Sequence, residues 1–204
     1  NKGIRLATGD VVGILNADDV LADDRVIERV AGYCDHSVVA IERVKTGAGR
    51  AGVDVIYGDI RFVADRRGVG LEEIRAEPTV RYYSSLHFRP SLARFGYMPA
   101  HPSFYCRREL FERLGAYQTD YRIAADHELM IRFLVKARVR SVYLPEAMVV
   151  MRLGGMSTRS VESTLILNRE NIRACKANGI YTNRLMQLGK YLFKIPGLIF
   201  KAGY

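Results

Sequence analysis

The chain has 204 residues, of which 49% are hydrophobic and 26% are charged, and this length suits one domain with a buried core. The composition excludes a disordered tail, a collagen-like fibre and a small disulfide-stapled protein. No stretch of about 18 uncharged apolar residues occurs, so the sequence predicts no membrane-spanning helix. The three cysteines have no CxxC spacing, which indicates neither a zinc site nor a disulfide framework and favours a reduced, cytosolic setting.

The positive charge is concentrated near the end of the chain. Lys and Arg number 31 against 22 acidic residues, which gives a net charge of +9. Residues 151–204 hold nine Lys or Arg and only the acids Glu162 and Glu170, so this segment alone carries nine minus two, or +7. A basic segment of this kind predicts an anionic partner such as a phospholipid, a phosphate ligand or a nucleic acid.

The predicted elements alternate between helices and strands, which indicates an α/β fold. Helices are predicted near residues 1–7, 23–34, 107–114, 124–137, 160–177 and 183–195, and strands at 11–15, 53–63, 141–144 and 147–152.

Several of these elements carry more specific expectations. The uniformly apolar residues 11–15 are typical of a strand buried on both faces in a parallel sheet. Residues 53–63 are expected at the edge of a strand pair. Residues 69–100 are predicted only as an ordered connection on the core. Ile27 and Ala137 are expected on the inward faces of their helices.

Two adjacent carboxylates, Asp18 and Asp19, follow the first predicted strand. Open α/β sheets bind ligands at the carboxyl ends of their strands, and paired carboxylates there suit Mg²⁺ or Mn²⁺. The same acids, together with Asp23 and Asp24, precede a helix, where carboxylates cap free N–H groups. Local sequence leaves both interpretations open.

A second acidic group, Asp126 and Glu128, stands at the start of the predicted 124–137 helix. A carboxylate at such a position can act as a general base toward a hydroxyl group. The alternative is helix capping by these acids, with Glu128 and Arg132 forming an i,i+4 surface pair.

A third segment, residues 151–159, combines Arg152 with two glycines and a second arginine. Its guanidinium and backbone N–H groups can neutralise a phosphate. The alternative is an ordinary turn.

Taken in order, four segments resemble bacterial family 2 glycosyltransferases of the GT-A fold, and among these the exopolysaccharide and colanic-acid transferases. They are Asn1-Lys2-Gly3-Ile4 to Asn16-Ala17-Asp18-Asp19, His101-Pro102-Ser103 to Leu114-Gly115, Ala124-Ala125-Asp126-His127-Glu128-Leu129 to Arg132, and Met151-Arg152-Leu153-Gly154-Gly155-Met156-Ser157.

The resemblance implies an α/β, GT-A-like (Rossmann-like) central sheet with flanking helices and a C-terminal helical tail. Residues 1–158 would be the C-terminal portion of the catalytic domain, and residues 159–204 a basic amphipathic tail. Family members begin with a nucleotide-binding half, so we expect this sequence to be incomplete at its N-terminus.

The resemblance also implies roles for individual residues. Asp19 would bind Mn²⁺ or Mg²⁺, and Asp18 would help to position the metal or the donor sugar. Asp126 would deprotonate the acceptor hydroxyl in a single displacement with inversion, and Arg152 would neutralise the diphosphate. His101 and Glu128 are weaker, acceptor-side candidates, and a structural role for His101 stays open.

The implied partners are a nucleotide-sugar donor and a saccharide or polyprenyl-diphosphate-linked acceptor in surface polysaccharide biosynthesis. The basic, apolar segment 184–201 predicts peripheral binding to an anionic membrane surface at the cytoplasmic face. Its alternative is an amphipathic helix docked on the core. No nucleic-acid-binding signature occurs, so no nucleic acid is expected as a partner. An inactive glycosyltransferase-like fragment and a basic nucleic-acid-binding module are the competing hypotheses.

Overall fold

A computed structural model describes residues 1–34, 52–64, 68, 70–153 and 161–189. Its helices are α1 (Lys2–Leu6), α2 (Val26–Cys34), α3 (Leu71–Ala76), α4 (Glu109–Leu114), α5 (Ala125–Met130) and α6 (Val161–Ala177). Its strands are β1 (Val11–Gly13), β2 (Val20–Leu21), β3 (Val55–Val63), β4 (Arg81–Tyr83), β5 (Phe104–Arg107) and β6 (Ser141–Arg152). Two 3₁₀ turns span Pro90–Phe95 and His101–Ser103, and residues 184–189 are helical.

The six strands form one mixed sheet in the order β1-β5-β3-β6-β2, with β4 also paired to β3. Only β3 and β6 run parallel to each other, and the other described pairs are antiparallel. The predicted α/β class, with a central sheet flanked by helices, is confirmed. The expectation of a parallel sheet around the first strand is wrong, because β1 pairs antiparallel with β5.

The strand β3 lies at the centre of the sheet. It pairs with β5 through its first half, with β4 through its second half and with β6 along its other side. The expectation that residues 53–63 form an edge is therefore wrong. Val55 and Tyr57 face one apolar core, and Ile56 and Ile60 face a second core on the opposite side of the sheet.

Helices cover both faces of this sheet. On one face, α4, α5 and α6 contribute Leu110, Leu129 and Ala174 to the larger core. On the other face, α2 contributes Val26 and Val30. This second helix begins at Val26 rather than at the predicted residue 23, and Ile27 is exposed rather than inward.

The first strand is shorter and more exposed than its apolar sequence predicts. It ends at Gly13, and both valines of β1 are only half-buried because, within the described chain, the strand is the last in the sheet. A side chain at Gly13 would meet the Tyr105 ring, since a Cβ there would lie 2.4 Å from Tyr105 Cδ1.

The predicted 124–137 helix is present but changes its winding. After α5, Ile131–Lys136 forms a π-helical turn, in which the Ala137 N–H donates to the Arg132 carbonyl oxygen at 2.9 Å. The wider turn rotates later residues relative to an α-helix. Ala137 is consequently exposed, against the sequence expectation.

The two strands expected on either side of Pro145 are one continuous strand, β6. The register shifts between the Tyr57–Tyr143 pair and the Asp59–Ala147 pair, so the proline lies in a bulge and needs no ladder N–H. Gly58 faces this bulge, and a Cβ there would lie 2.6 Å from Met148 Sδ.

Residues 70–100 contain α3, β4 and a 3₁₀ turn that the sequence did not resolve. The strand β5 was also missed, and the predicted 107–114 helix begins only at Glu109. The predicted 160–177 helix is confirmed by α6, and Gly179, with φ +77°, ends that segment.

Some expectations lie outside the described residues. They concern the loop at 35–51, most of the turn at 65–68, the glycines and Arg159 of the 151–159 segment, and the tail from residue 190. Across the described ranges, no helix has the length and apolar character needed to cross a membrane.

Candidate active site

The carboxylates Asp18 and Asp19 lie in the turn that leads into β2. Asp18 is exposed, whereas Asp19 is 5% exposed. Asp19 accepts a hydrogen bond from Asn16 Nδ2 at 2.7 Å, and its own N–H donates to the Asn16 carbonyl oxygen. Burial raises the pKa of Asp19, the Asn16 hydrogen bond opposes this shift, and the neighbouring Asp18 charge adds to it.

The contacts near α2 separate the two interpretations of this acidic segment. Asp23 accepts from the Arg25 N–H at 2.7 Å, just before the helix begins, and also pairs with Arg29. Asp24 pairs with Arg75. Capping and ion pairing therefore involve the second pair of acids, while Asp18 and Asp19 lie ahead of β2 and away from the helix end.

The pair Asp18–Asp19 fits one kind of metal site and not another. Within the described ranges, no group of three or more His, Cys, Asp or Glu residues is arranged to hold a metal ion. A closed, all-protein metal site is therefore not formed there. Mg²⁺ and Mn²⁺ commonly use one or two carboxylates and complete their shells with water and substrate phosphates. Adjacent carboxylates, one buried and one exposed, fit that requirement.

Arg152 ends β6 at the same end of the sheet as these carboxylates. Val20 of β2 pairs with Val150 of β6 in antiparallel register. Asp19 directly precedes Val20, and Arg152 follows Val150 by two residues. The Arg152 Nε is buried and has no hydrogen-bond partner among the described residues. A buried donor left in this state is suited to an anionic ligand.

Asp126 lies in the first turn of α5, but it does not cap the loop ahead of that helix. Glu170 of α6 accepts from the N–H groups of Arg122, Ile123 and Ala124 at 2.7 to 2.8 Å. Burial raises the pKa of Glu170, but these three hydrogen bonds and Arg173 outweigh it and lower the pKa overall. Asp126 accepts a hydrogen bond from the adjacent His127 N–H at 2.7 Å.

Glu128 has a different environment from the one the sequence predicts. It is 1% exposed and forms a two-pronged pair with Arg132, at 3.0 and 2.8 Å. Asn178 Nδ2 donates to the same carboxylate at 3.2 Å. The i,i+4 pair is therefore present but is buried rather than on the surface. Because both carboxylate oxygens are occupied, this geometry does not present Glu128 to an acceptor.

His101 lies within range of the charge of Asp126 and in contact with Tyr117. The His101 Nε2 lies 2.7 Å from the Tyr117 hydroxyl oxygen, and the two rings meet edge-to-face at 5.8 Å between centroids. Burial lowers the pKa of His101, and the charge of Asp126 acts in the opposite direction. Tyr117 was not singled out by sequence reasoning, because a tyrosine two residues after Gly115 has no signature of its own.

A second group missed by sequence reasoning surrounds Asp59. This carboxylate is 3% exposed and accepts from the hydroxyls of Tyr82 and Tyr143, each at 2.9 Å. It also accepts from the Ser85 N–H at 2.7 Å. The Ser85 hydroxyl in turn accepts from the N–H of Ala100, the residue before His101. This network therefore supports the segment that carries the histidine.

A cavity of about 870 Å³ lies between β1, β5 and α2. Its lining includes Gly13, Leu15, Leu21, Ile27 and Tyr105. The exposure of Leu15 and Ile27 follows from their position on this cavity.

Comparisons with known proteins give structural likeness only. No protein-family model matches the chain, and no curated protein matches it. The crystal structure of Staphylococcus aureus TarS matches with a TM-score of 0.48 and 15% identity, over 98% of this chain and 30% of that chain. TarS residues 1–349 match with a TM-score of 0.49 and 17% identity, and the complex of 1–349 with UDP with 0.48 and 15%. The chain spans 52% of the length of each of these two. At such TM-scores and identities, the likeness carries no argument about activity.

Proposed function

We propose that the chain is the catalytic part of a GT-A glycosyltransferase of family 2 that moves a sugar from a nucleotide-diphosphate sugar to an acceptor hydroxyl. The observation that carries this proposal is the position of Asp18, Asp19 and Arg152 at one end of the β2–β6 pair. This end of the strand pair therefore carries two carboxylates and an arginine whose Nε lacks a described partner, which gives it mixed charge. Such a site suits a metal-bound diphosphate better than a free anion.

These residues would stabilise the leaving group, the nucleoside diphosphate. Asp19, assisted by Asp18, would hold Mn²⁺ or Mg²⁺, and the bound ion would stabilise the diphosphate as a Lewis acid. Arg152 would pair with a phosphate oxygen as negative charge develops on the departing nucleoside diphosphate.

The acceptor is activated on the other side of the reaction centre. Asp126 takes the proton of the acceptor hydroxyl while that oxygen bonds to the anomeric carbon and the bond to the diphosphate breaks. A single displacement of this kind inverts the anomeric centre and needs no covalent sugar-enzyme intermediate. His101, on which the charge of Asp126 acts, would belong to the acceptor side.

The acceptor would be a saccharide or a polyprenyl-diphosphate-linked saccharide in exopolysaccharide biosynthesis. A surface of basic and apolar side chains supports peripheral placement at the inner face of an anionic cell membrane. On α6, Leu165, Arg169, Ile172 and Lys176 follow helical spacing. Next to them, a groove of about 320 Å³ is lined by Arg169, Ile172, Lys176, Thr182, Asn183 and Arg184.

Exposed apolar residues continue this surface toward the end of the described chain. Tyr181, Leu185 and Leu188 are 70%, 79% and 52% exposed, and Leu165 is 52% exposed. None of the described acidic residues lines the groove. We call the residues around this groove the basic-apolar face. An anionic membrane interface binds a surface whose cations contact headgroups and whose apolar side chains contact acyl chains. Binding to nucleic acid would not account for the exposed leucines.

The decisive experiment measures metal-dependent donor binding in the natural full-length protein. Nucleoside diphosphates (UDP, GDP and dTDP) and their glucose conjugates are titrated calorimetrically with Mn²⁺ and again with chelator. We expect binding of one nucleotide class in Mn²⁺ only, with loss in Asp19→Asn. Asp24→Asn is the matched control, because Asp24 lies on the same segment but is 85% exposed and pairs with Arg75.

The outcomes separate the proposals. Binding that survives both the chelator and Asp19→Asn would remove the metal role from Asp18 and Asp19. Binding with no transfer of sugar to any saccharide or polyprenyl-diphosphate acceptor would indicate an inactive glycosyltransferase-like scaffold. The absence of nucleotide binding in a folded protein would contradict the proposed function as a whole.

A further inference from the structure

Tyr117 links the core of the protein to His101, which lies within electrostatic range of the proposed base. We propose that Tyr117 is a positioning residue that holds neutral His101 with its proton on Nδ1, so that the imidazole keeps one N–H as a hydrogen-bond donor for the proposed site. The part of this inference that concerns Asp126 rests on the proposed function. The part that concerns the state of the histidine rests on contacts within the chain alone.

The tyrosine ring is fixed by aromatic packing. Its centroid lies 6.1 Å from that of Phe111, and Phe111 in turn meets Phe133 at 5.7 Å. Phe133 has no exposed surface, and Phe111 is 7% exposed. The packed rings therefore hold the Tyr117 side chain in place, with its hydroxyl next to His101 Nε2.

The backbone of the tyrosine is held as well. The Tyr117 N–H donates to Asn1 Oδ1 at 3.0 Å, and Asn1 Nδ2 donates to the Tyr117 carbonyl oxygen at 2.8 Å. One residue earlier, the Ala116 carbonyl oxygen accepts from Arg132 Nη2 at 2.9 Å. Since Arg132 is itself paired with buried Glu128, both sides of this segment are fixed.

The protonation states decide the direction of the hydrogen bond. Burial raises the pKa of Tyr117, and the negative charge of Asp126 adds to this shift, so its hydroxyl keeps its proton near neutral pH. Burial lowers the pKa of His101, so the ring is neutral there. A neutral imidazole has one N–H, and if Nε2 accepts the tyrosine proton, the ring proton is on Nδ1.

Burial of the ring outweighs the charge that favours the protonated state. Asp126 is the charged group that acts on His101, and it favours the protonated imidazolium, whereas burial opposes it more strongly. Tyr117 hydrogen-bonds to Nε2, and that hydrogen bond stabilises the neutral ring. Loss of the tyrosine hydroxyl should therefore raise the pKa of His101.

A neutral donor has a chemical consequence for Asp126. An imidazolium near this carboxylate would favour its ionised form so strongly that the carboxylate would become a weaker base. A neutral ring avoids this effect and still has one N–H to donate. In the proposed transfer the acceptor proton then ends on Asp126, and His101 stays neutral throughout.

The first test uses the chain itself and needs no substrate. The chain has four histidines, so ¹⁵N-labelled imidazole signals can be assigned by single replacement. We expect His101 to show the Nδ1-protonated tautomer and a pKa below the ordinary value. In Tyr117→Phe we expect a mixture of tautomers and a higher pKa.

The matched control is Tyr97→Phe. Tyr97 is 6% exposed and its hydroxyl donates to the Ser84 carbonyl oxygen, so its loss also removes one hydrogen bond from a core phenol. We expect no change at His101 in this variant. An Nε2-protonated His101 in the wild type, or an unchanged His101 in Tyr117→Phe, would overturn the proposal.

The second test measures transfer by the natural full-length protein across pH. For Tyr117→Phe we expect the KM for the donor to stay near wild type and kcat to fall by up to about 10²-fold, since misplaced catalytic neighbours cost this much. The acidic limb of the kcat profile should move to higher pH, because the raised His101 pKa brings imidazolium into the working range.

The two tests fail in different ways. A folded wild type without transfer activity would contradict the proposed function, and the tautomer measurement would still decide the role of Tyr117. An active wild type whose kcat and pH profile are unchanged by Tyr117→Phe would contradict the positioning role and leave the glycosyltransferase proposal intact.

Discussion

Replacing Glu128 by glutamine separates a structural carboxylate from an acceptor-side one. The side chain keeps its shape in this variant but loses the charge that faces Arg132. In the pair, Glu128 is 1% and Arg132 12% exposed, so little water replaces the lost interaction. Asn178 adds a third hydrogen bond to the same carboxylate.

The expected cost follows from this burial. Breaking a buried pair by neutralising one partner destabilises a protein by about 3 to 5 kcal/mol. Because the glutamine oxygen still accepts one hydrogen bond, we expect about 3 kcal/mol for Glu128→Gln, at the lower end of that range. Glu112→Gln is the control, since its pair with Arg108 has the same i,i+4 spacing but exposures of 37% and 68%. Exposed pairs contribute about 0 to 1 kcal/mol.

Urea unfolding measures the difference. The chain has no tryptophan, so far-ultraviolet circular dichroism is the appropriate signal. With a slope of about 2 to 3 kcal/mol per molar urea for a domain of this size, Glu128→Gln should lower the midpoint by about 1 M. Equal midpoints for Glu128→Gln and Glu112→Gln would refute the buried-pair reasoning and make Glu128 available again as an acceptor-side residue.

Two further predictions concern catalysis and membrane binding. Asp126→Asn should leave nucleotide-sugar affinity near wild type and lower turnover by about 10² to 10⁴-fold, as expected for a general base; near-normal turnover would exclude Asp126 from that role. Reversing two charges on the basic-apolar face, in Arg169→Glu with Lys176→Glu, should weaken binding to phosphatidylglycerol vesicles by about 30-fold or more, since each cation contributes about 1 kcal/mol. The same charge change on exposed α1 residues, Lys2→Glu with Arg5→Glu, should have a smaller effect, and equal losses would indicate a diffuse charge effect rather than this face. Vesicles of phosphatidylcholine alone and free inorganic phosphate should not bind comparably.

The sequence predicted the order and type of many elements because their signals are local. The apolar spacing of α6 and the helix start near Asp126 depend on neighbouring residues, and both elements are present. The position of a strand in the sheet is not local. Nothing within Val55–Val63 specifies that three other strands pair with it, so the sequence placed a central strand at an edge.

The candidate site shows the same division. Sequence order put Asp19 and Arg152 on the ends of two elements, and the β2–β6 register puts those ends together. The sequence did not identify Tyr117 or Asp59, whose partners are 16 or more positions away along the chain. Their contacts form only when the loops around Ala100 and Gly115 pack on the sheet.

The acids at the start of α5 illustrate why capping and catalysis were hard to separate from local sequence. A carboxylate there is expected to satisfy free N–H groups, but Glu170 supplies that function from α6, 46 to 48 residues away. Glu128 is committed to Arg132 in the buried pair. Only Oδ1 of Asp126 accepts a described hydrogen bond, from the first-turn N–H of His127. Asp126 takes part in none of the described ion pairs, and its charge acts on the pKa of His101. Among the three acids near this helix start, it is therefore the one whose environment leaves it able to accept a proton from a substrate.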